Sequence, residues 1–370
     1  MKFITVILVS FGFFMTASSQ TIYQDFPVIK AKSVQADYKI GKELIKNKWL
    51  ISPQIEADTL LVTCHSPLPT PFVFYTDTDS IAFKLTPGQV YKFYVAIPKR
   101  AQALTVVKAL DTRYDALVFD TQTKNKKIKC WYEQNNQNEY LDLLRSKYPL
   151  DSLVKGAKTD TEKALGILHW VHRQWQHNGS NEPQKSDAIS ILDEARKGNN
   201  FRCVEYGIVT AACLNAVGLK ARVLRLKTKD VETAEFGAGH ALAEVYLNDL
   251  KKWVLLDGQW DAMPVLNNIP LNAVEFQQAI ATDYENLNIV TSSGTNKRDY
   301  VEWIFPYLYY FNFPFDSREG FAIKKNKIKG KQDLMLVPTG AKNPTIYQIK
   351  VKLNYCVYTH SINDFYAAPQ

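Results

Sequence analysis

The sequence predicts an α+β domain in the middle of the chain, with a β-sandwich before it and a β-rich segment after it. Short runs rich in Val, Ile, Phe and Tyr, separated by Pro and Asp turns, fill the stretch from Thr59 to Ile97, and this spacing is typical of an antiparallel sandwich. Helical periodicity covers Glu139 to Ala216, and strand-like runs follow between Ala221 and Asp257. Helices first and strands afterwards favour an α+β fold.

The first 19 residues predict a signal peptide. Lys2 precedes an apolar run from Phe3 to Met15, and the small residues Ala17 to Ser19 form a cleavage site. We therefore expect a secreted or periplasmic protein. No cysteine follows the cleavage site closely, so a lipid anchor is not expected, and no later segment is long enough for a membrane-spanning helix.

The remaining sequence divides into three predicted parts. Residues 20–120 form the sandwich, 130–300 the α+β domain and 301–370 an aromatic, β-rich segment. Within them we expect a short helix at Gly41–Lys46 and a loop-rich segment after Pro264. The main predicted elements are helices at Glu139–Tyr148, Lys163–Gln176, Asp187–Arg196 and Cys203–Ala216, and strands at Ala221–Leu226, Gly239–Leu247, Lys252–Asp257, Asp333–Val337 and Thr345–Val357.

Charge and cysteine content exclude some functions. The formal net charge is +8, and loss of residues 1–19 removes one lysine and no acid, which leaves +7. The basic residues are spread along the chain and no nucleic-acid-binding module is recognisable, so no nucleic-acid partner is expected. Five cysteines in a chain of this size do not make a disulfide scaffold. A bridge among Cys64, Cys130 and Cys356 stays open, as does the oligomeric state.

Cys203 lies at the predicted start of a helix. The polar loop Lys197–Asn200 leads into it, and Gly218 stands where a helix C-terminus places a left-handed residue. Unpaired backbone N–H groups and the positive end of the helix dipole favour a thiolate in the first turn. The pattern indicates either a reactive thiol or a buried structural cysteine. Cys213, in the middle of the same helix, is predicted to pack in the core.

A histidine and an aspartate fall at matching positions of a predicted hairpin. His240 stands near the start of one strand and Asp257 at the end of the next, so antiparallel pairing makes them neighbours. The carboxylate can accept a hydrogen bond from one imidazole nitrogen while the other nitrogen faces a thiol. Together with Cys203 these residues predict a Cys/His/Asp thiolate site. The alternative is a hairpin in which the two side chains only satisfy each other.

Four motifs within residues 159–261 carry a family resemblance. They are Phe201-Arg-Cys203, Leu219-Lys-Ala-Arg-Val223, Gly239-His-Ala241 with Glu244-Val-Tyr246, and Lys252-Trp-Val-Leu-Leu-Asp257. In these motifs the sequence resembles the transglutaminase-like superfamily, a papain-related group of thiol enzymes. The resemblance implies a papain/transglutaminase-like core, in which the helix that carries the cysteine packs on an antiparallel sheet.

The resemblance also implies a role for each member of the site. Cys203 is then the nucleophile, His240 the base and later the acid, and Asp257 the residue that orients the histidine. Three positions depart from the family pattern: Phe201 replaces a common glycine, Leu242 replaces a common aromatic residue, and Gly258 stands where proline often follows the aspartate.

The expected chemistry is cleavage or transfer of amide bonds through an acyl-enzyme at Cys203. The substrate is then a peptide, a protein or a cell-wall amide, and hydrolysis is favoured over cross-linking, which must exclude water. The alternative is a non-catalytic protein that binds peptide or glycan on the same scaffold. The oxyanion is expected to bind the backbone N–H of Cys203 and one side chain, for which Gln174, Trp170 and Trp175 are candidates.

The sequence indicates no cofactor and no metal. His169 and His172 are three residues apart on one helical face, but no carboxylate or cysteine completes a ligand pattern. We therefore expect surface or packing roles for these two histidines and for His177. Neither a calcium site nor an organic cofactor is predicted.

Overall fold

The computed structural model describes residues 21–52, 58–65, 68–111, 114–122, 128–134, 138–320 and 324–369. The chain forms two units, 1–113 and 114–370. The predicted signal peptide lies outside the described residues, and the domain limits predicted from the sequence stay predictions. Among the described residues no helix is both long enough and apolar enough to cross a membrane.

The described residues of the first unit form nine strands in two sheets. The two sheets enclose one hydrophobic core, in which the rings of Phe74 and Phe93 lie with their centroids 5.0 Å apart. The predicted sandwich is therefore confirmed. The strands are β1 (Ile22–Tyr23), β2 (Phe26–Lys30), β3 (Gln35–Ile40), β4 (Glu43–Leu50), β5 (Asp58–Cys64), β6 (Thr70–Tyr75), β7 (Ser80–Leu85), β8 (Val90–Ala96) and β9 (Ala103–Asp111).

Two details of the sandwich differ from the prediction. The sheet orders are β1-β2-β8-β9-β5 and β4-β3-β6-β7, and the sandwich is not purely antiparallel, because β2 pairs with β8 and β5 with β9 in parallel. The helix predicted at Gly41–Lys46 is wrong. Gly41, with φ of 54°, turns the chain between β3 and β4, after which Leu44 is exposed and Ile45 is buried, the alternation of a strand.

The described residues between 114 and 216 of the second unit contain five helices. The helix predicted at Cys203–Ala216 has those limits, and the other three predicted helices are present with shifted ends. The side chains of Asn138, Thr159 and Asp187 each accept a backbone N–H at the start of a helix, which satisfies one of the donors that a helix leaves free. The helices are α1 (Glu139–Lys147), α2 (Leu150–Val154), α3 (Asp160–His172), α4 (Ala188–Ala195) and α5 (Cys203–Ala216).

After α5 the chain alternates between strands and short helices. The hairpin predicted from Gly239–Leu247 and Lys252–Asp257 is confirmed, because these two strands are antiparallel neighbours. The elements are β10 (Lys220–Lys227), β11 (Gly239–Leu247), β12 (Lys252–Leu256), β13 (Met263–Leu266), β14 (Ile269–Pro270), α6 (Ala273–Thr282), β15 (Leu287–Val290), α7 (Lys297–Ile304), a 3-10 turn (Phe305–Tyr307), β16 (Tyr310–Pro314), β17 (Asp333–Leu336), β18 (Ile346–Tyr347), β19 (Val351–Lys352), β20 (Cys356–Thr359) and α8 (Ile362–Phe365).

A six-stranded sheet forms the middle layer of this unit. Its order is β12-β11-β10-β16-β17-β20, antiparallel except for the β17–β20 pair. Along β11, Ala243 and Val245 face the helices α1 to α5, whereas Leu242 faces the core formed with α6 and α7, as the two-residue period of a strand requires. Because β11 is covered on both faces, its sequence is a nearly continuous run of apolar residues.

Two predictions for the C-terminal part need correction. The segment after Pro264 is not mainly loop, because it contains α6, whose first turn has a capping box between Asn272 and Glu275. The segment Thr345–Val357 is not one strand. Gln348 and Ile349 have φ of 48° and 50°, so the chain reverses there and forms the β18–β19 hairpin before β20.

Candidate active site

Cys203 is the first residue of α5, as predicted. The preceding residue, Arg202, is the N-cap, and the carboxylate of Glu205 accepts its backbone N–H at 3.1 Å. The thiol therefore lies in the turn where backbone N–H groups have no partner within the helix and where the helix dipole is positive. Both features favour the thiolate.

A glycine allows α5 to lie directly on β11. Gly207 is one turn after Cys203, and a Cβ atom there would lie 3.1 Å from the carbonyl oxygen of Leu242. No side chain separates the helix from the strand at this point. The thiol of Cys203 consequently reaches the start of β11, where the His240 ring and the backbone N–H of Ala241 lie close enough to lower its pKa.

His240 and Asp257 are neighbours, as the hairpin predicts. Nε2 of His240 lies 2.8 Å from Oδ2 of Asp257, so the other ring nitrogen, Nδ1, is left for the thiol. Asp257 is fully buried. Its Oδ2 also accepts the hydroxyl of Tyr300 at 3.1 Å, and its Oδ1 accepts the backbone N–H of Gln259 at 3.0 Å. These bonds fix the position of the Asp257 carboxylate, and the carboxylate in turn fixes the orientation of the His240 ring.

The charges of the three side chains change one another's pKa values. Burial by itself raises the pKa of the Cys203 thiol, but the hydrogen bond and the positive charge of His240 outweigh burial and lower it. Burial by itself lowers the pKa of His240, yet the charge and hydrogen bond of Asp257, followed by those of Cys203, raise it to about 10. The arrangement therefore stabilises a thiolate–imidazolium pair.

The same residues fall within a known family pattern. The family model described as the transglutaminase-like superfamily matches residues 150–258, a range that begins at α2 and includes Cys203, His240 and Asp257. Residues 150–258 form a transglutaminase-like domain. This confirms the resemblance and the core fold predicted from the four sequence motifs, with α5 packed on the sheet.

Some solved structures that match part of this chain are described as a protease or as transglutaminases. One is a candidate cysteine protease from Cytophaga hutchinsonii, with 14% identity over 72% of this chain and 79% of that chain and a TM-score of 0.27. A second is described as a TGase (19% identity, 45% and 43% coverage, TM-score 0.25), and a third is the red sea bream transglutaminase (11% identity, 64% and 50% coverage, TM-score 0.24). Because these TM-scores are low, the assignment depends on the family match. No curated protein matches the chain.

The three departures from the family pattern have local packing reasons in the transglutaminase-like domain. Phe201 is fully buried, and its ring meets that of Trp175 edge-on with centroids 5.9 Å apart. Leu242 fills the core beneath α6 and α7. A Cβ atom on Gly258 would lie 2.8 Å from Oγ1 of Thr210 on α5, so the residue after Asp257 has no room for a side chain.

Aromatic residues from the C-terminal part cover the imidazole. The ring of Trp303, near the end of α7, lies edge-on to that of His240 with centroids 4.8 Å apart, and the Tyr307 ring is 6.0 Å away. In the sequence this aromatic run falls in the segment predicted to be separate, residues 301–370. Nothing in its local pattern indicated that it would lie on the histidine.

Cys203 and His240 line a cavity of about 690 Å³, within the range of ligand-binding cavities. Its aromatic lining comes mostly from elements that follow the transglutaminase-like domain in sequence. Trp303, Tyr307, Tyr347 and Tyr355 contribute to it, together with Phe236, which is 83% exposed. The site therefore combines a thiol, an imidazole and apolar rings in an accessible space.

The three predicted oxyanion donors, Gln174, Trp170 and Trp175, lie away from this cavity. The amide Nε2 of Gln174 donates to the carbonyl oxygen of Trp170 at 2.7 Å. Trp175 packs against Tyr206, with ring centroids 4.4 Å apart, and with Gln174 it lines a neighbouring cavity. None of the three is among the described residues that line the Cys203 cavity.

Two other polar side chains, His177 and Gln259, line both cavities. Burial, followed by the positive charge of His240, lowers the pKa of His177, so its ring is neutral at pH 7. Oε1 of Gln259 is buried and has no hydrogen-bond partner among the described residues. His177 was expected to be a surface or packing residue. For Gln259 the only sequence signal was its position two residues after Asp257.

The other residues named from the sequence, Cys213, His169 and His172, are held by core packing or by hydrogen bonds. Cys213 is fully buried in the core around α5, and burial raises the pKa of its thiol. His169 is hydrogen-bonded to Asp261, and Nδ1 of His172 to the carbonyl oxygen of Gly258 at 3.1 Å. Among the described residues no group of three or more metal-ligating side chains is present, and none of the five cysteines is paired.

Proposed function

We propose that this protein is a thiol enzyme that hydrolyses amide bonds through an acyl-enzyme at Cys203. The observation that carries the proposal is the His240 ring, hydrogen-bonded to the buried Asp257 and placed with Cys203 in the wall of one accessible cavity. A nucleophile, a base and a residue that orients the base are the parts that acyl transfer requires.

In the proposed reaction the Cys203 thiolate attacks the carbonyl carbon of the amide. The backbone N–H of Cys203, with His177 or Gln259 as the second donor, binds the negative oxygen of the tetrahedral intermediate. The imidazolium of His240 then gives its proton to the departing amine, and a thioester remains on Cys203. A water molecule gives a proton to His240 and attacks the thioester, which releases the acid and restores the thiolate.

Hydrolysis is favoured over transfer to a second amine by the surroundings of the thiol. Cys203 is partly exposed in a cavity whose wall includes Arg202, Arg225 and Lys227. A wall with three cationic side chains supports the entry of water. Cross-linking requires that water be kept from the thioester, and the described residues of the cavity show no feature dedicated to that.

The direct test is to trap the acyl-enzyme. The native protein would be incubated with peptides and cell-wall fragments, quenched in acid and analysed by intact-mass spectrometry. We expect an added mass on Cys203 that is absent from Cys203→Ala and present in Cys213→Ala. An unreactive Cys203 in the folded native protein would overturn the proposal and favour a protein that binds peptide or glycan.

We also propose that the protein is exported, because residues 1–19 have the pattern of a signal peptide. Expression of the full chain in a bacterium, followed by N-terminal sequencing, tests this. A mature chain that begins at Gln20 in the periplasm or medium is expected. An uncleaved cytoplasmic chain would contradict the proposal.

A further inference from the structure

Lys227 is a buried lysine in the wall of the Cys203 cavity. It is 3% exposed, ends β10 and pairs in register with Gly239, the residue before His240. Strand alternation places it on the same face of the sheet as Val223 and Arg225, which is the face that α5 covers. Lys227 and Cys203 consequently line the same cavity.

The ammonium of Lys227 is hydrogen-bonded to an amide, not to a carboxylate. Its Nζ donates to Oδ1 of Asn312 and lies 5.8 Å from the centre of the Tyr347 ring. Asn312 in turn donates to Oδ2 of Asp333 at 2.6 Å, and Arg225 donates to the same oxygen at 3.1 Å. Two cations therefore share one carboxylate, which leaves one positive charge uncompensated in this network.

The other described residues of the cavity do not supply a carboxylate for Lys227, and the Cys203 thiolate is paired with the His240 imidazolium. Arg202 is already paired with Glu205 and Glu182. No aspartate or glutamate is among the described residues that line the cavity. Burial, with a contribution from Arg225, lowers the pKa of Lys227 to about 8, the response of a buried ammonium that lacks an adjacent counter-charge. A buried charge is costly unless it is paired.

We infer that Lys227 binds a carboxylate of the substrate, and that the enzyme acts on acidic peptides. The inference rests on the proposed function, because it assigns the substrate class of the same cavity. The carboxylate takes the free positions around Nζ, while the rings of Tyr347, Tyr355 and Tyr307 contact the apolar part of the peptide. The carboxylate belongs either to an Asp or Glu side chain or to the C-terminus of the peptide.

Binding to the full-length Cys203→Ala protein separates recognition from chemistry. Three peptides would be compared by calorimetry: acetyl-Ala-Gln-Ala amide, acetyl-Ala-Glu-Ala amide, and acetyl-Ala-Gln-Ala with a free C-terminus. We expect one of the two acidic peptides to bind on the order of tenfold more tightly than the neutral one, since a hydrogen bond to a charged group is among the stronger ones. The tighter peptide identifies the source of the carboxylate.

Two substitutions test whether Lys227 is responsible. Lys227→Met keeps the aliphatic stem and removes the charge, and Asn312→Asp keeps the lysine but places a carboxylate against Nζ. Both are expected to abolish the preference for the acidic peptide. The matched control is Lys229→Met, because Lys229 is exposed and does not line this cavity; this variant is expected to keep the preference. Thermal unfolding of each variant checks that it is folded.

The outcomes distinguish this inference from the proposed function. Equal affinities for the three peptides, no measurable binding, or a preference that survives both Lys227→Met and Asn312→Asp would overturn the role of Lys227. The reactivity of Cys203 in the native protein is measured separately with the neutral reagent iodoacetamide. A reactive Cys203 without any carboxylate preference would overturn only the inference, whereas an inert Cys203 would overturn the proposed chemistry.

Discussion

Gly207 of α5 lies against the backbone of Leu242 in β11, where a Cβ atom would be 3.1 Å from the carbonyl oxygen. Cys203 stands one helical turn before Gly207, and His240 stands two residues before Leu242. The distance between thiol and imidazole therefore depends on how closely this helix approaches this strand.

Gly207→Ala is expected to move Cys203 away from His240. The added methyl group meets backbone atoms that cannot rotate away, so the helix must shift by a few tenths of an ångström. Small errors in the position of reacting groups can cost up to about 100-fold in rate. We expect alkylation of Cys203 by iodoacetamide at pH 7 to slow by roughly tenfold, while stability changes by less than about 2 kcal/mol because alanine favours the helix.

Gly166→Ala is the matched control for this substitution. Gly166 is in α3, and a Cβ atom there would lie 2.8 Å from the carbonyl oxygen of Leu153. The same methyl group therefore meets the same kind of atom away from the site. Its expected effect is a loss of stability without a change in Cys203 alkylation. Equal alkylation rates in Gly207→Ala and the native protein would show that the close approach does not position the thiol.

The pH dependence of alkylation should report the thiolate–imidazolium pair. Because the pKa of Cys203 is lowered, the thiolate persists below the ordinary thiol range, and labelling falls only as pH drops through that lowered value. In His240→Ala the burial of the thiol remains without the positive charge, so the profile shifts to higher pH. Mass spectrometry would follow labelling from pH 5 to 10, with Cys213→Ala as the control.

Turnover has an upper pH limit as well. His240 must be protonated to give its proton to the leaving amine, and its pKa is raised to about 10. We expect activity to fall as pH rises through that value and, at the other end, as Cys203 is protonated. Asp257→Asn removes the charge that raises the His240 pKa, so the upper limit should move to lower pH. An unchanged upper limit would contradict the role of Asp257.

Asp261 holds together the loop that follows the site. Its Oδ2 accepts the backbone N–H of Ser292 at 2.8 Å and that of Ser293 at 2.7 Å, and its Oδ1 is bonded to His169. Burial alone would raise its pKa, but these bonds lower it. The stabilisation is therefore present above the unfolded-state pKa of about 4 and is lost as pH falls below it.

Asp261→Asn is expected to lower the free energy of unfolding by about 2 kcal/mol at pH 7, the scale of a hydrogen bond to a charged group. Asparagine tolerates the left-handed backbone of this position, where φ is 50°. The difference should shrink in acid, because the carboxylate of the unfolded chain is protonated there and folding must then release that proton. Urea unfolding at pH 7 and pH 3 measures it, and the exposed Asp230→Asn should change either value by less than about 0.5 kcal/mol.

Arg222 is a fully buried cation in the core beneath the sheet. Its Nη2 donates to Oε2 of Glu244 at 2.7 Å, and its Nη1 donates to the carbonyl oxygen of Phe365 at 3.1 Å. The rings of Phe313 and Trp253 lie 3.7 and 4.2 Å from the guanidinium carbon. The arginine thus connects β10 and β11 to the end of the chain.

Arg222→Met should destabilise the protein by about 3–5 kcal/mol, because it leaves the charge of Glu244 buried without its partner. The double variant Arg222→Met/Glu244→Met is expected to recover much of that loss in chemical unfolding. Arg196→Met is the control: this arginine is exposed and lies over the Tyr148 ring at 4.2 Å, a contact worth about 1 kcal/mol or less. A double variant no more stable than Arg222→Met would contradict the explanation.

Much of the site could be predicted from the sequence because its parts obey local rules. The start of α5 at Cys203 followed from a polar loop before a helical period, and the proximity of His240 and Asp257 followed from a short hairpin. The oxyanion candidates were harder to place, since Gln174, Trp170 and Trp175 were chosen for residue type and position in sequence. Where a side chain upstream of Cys203 points depends on how α3 and its following loop pack.

The sequence by itself determined the helix start, the hairpin and the order of nucleophile, base and orienting residue, because hydrogen bonds between residues close in the chain specify these features. Only the tertiary structure decided what surrounds them. Strands and helices that are far apart in sequence bring these surroundings together. They place Trp303 on the His240 ring, Tyr300 on Asp257, and Lys227 in the wall of the cavity. Their placement results from burial of apolar surface on both faces of the sheet, which has no local signal in the chain.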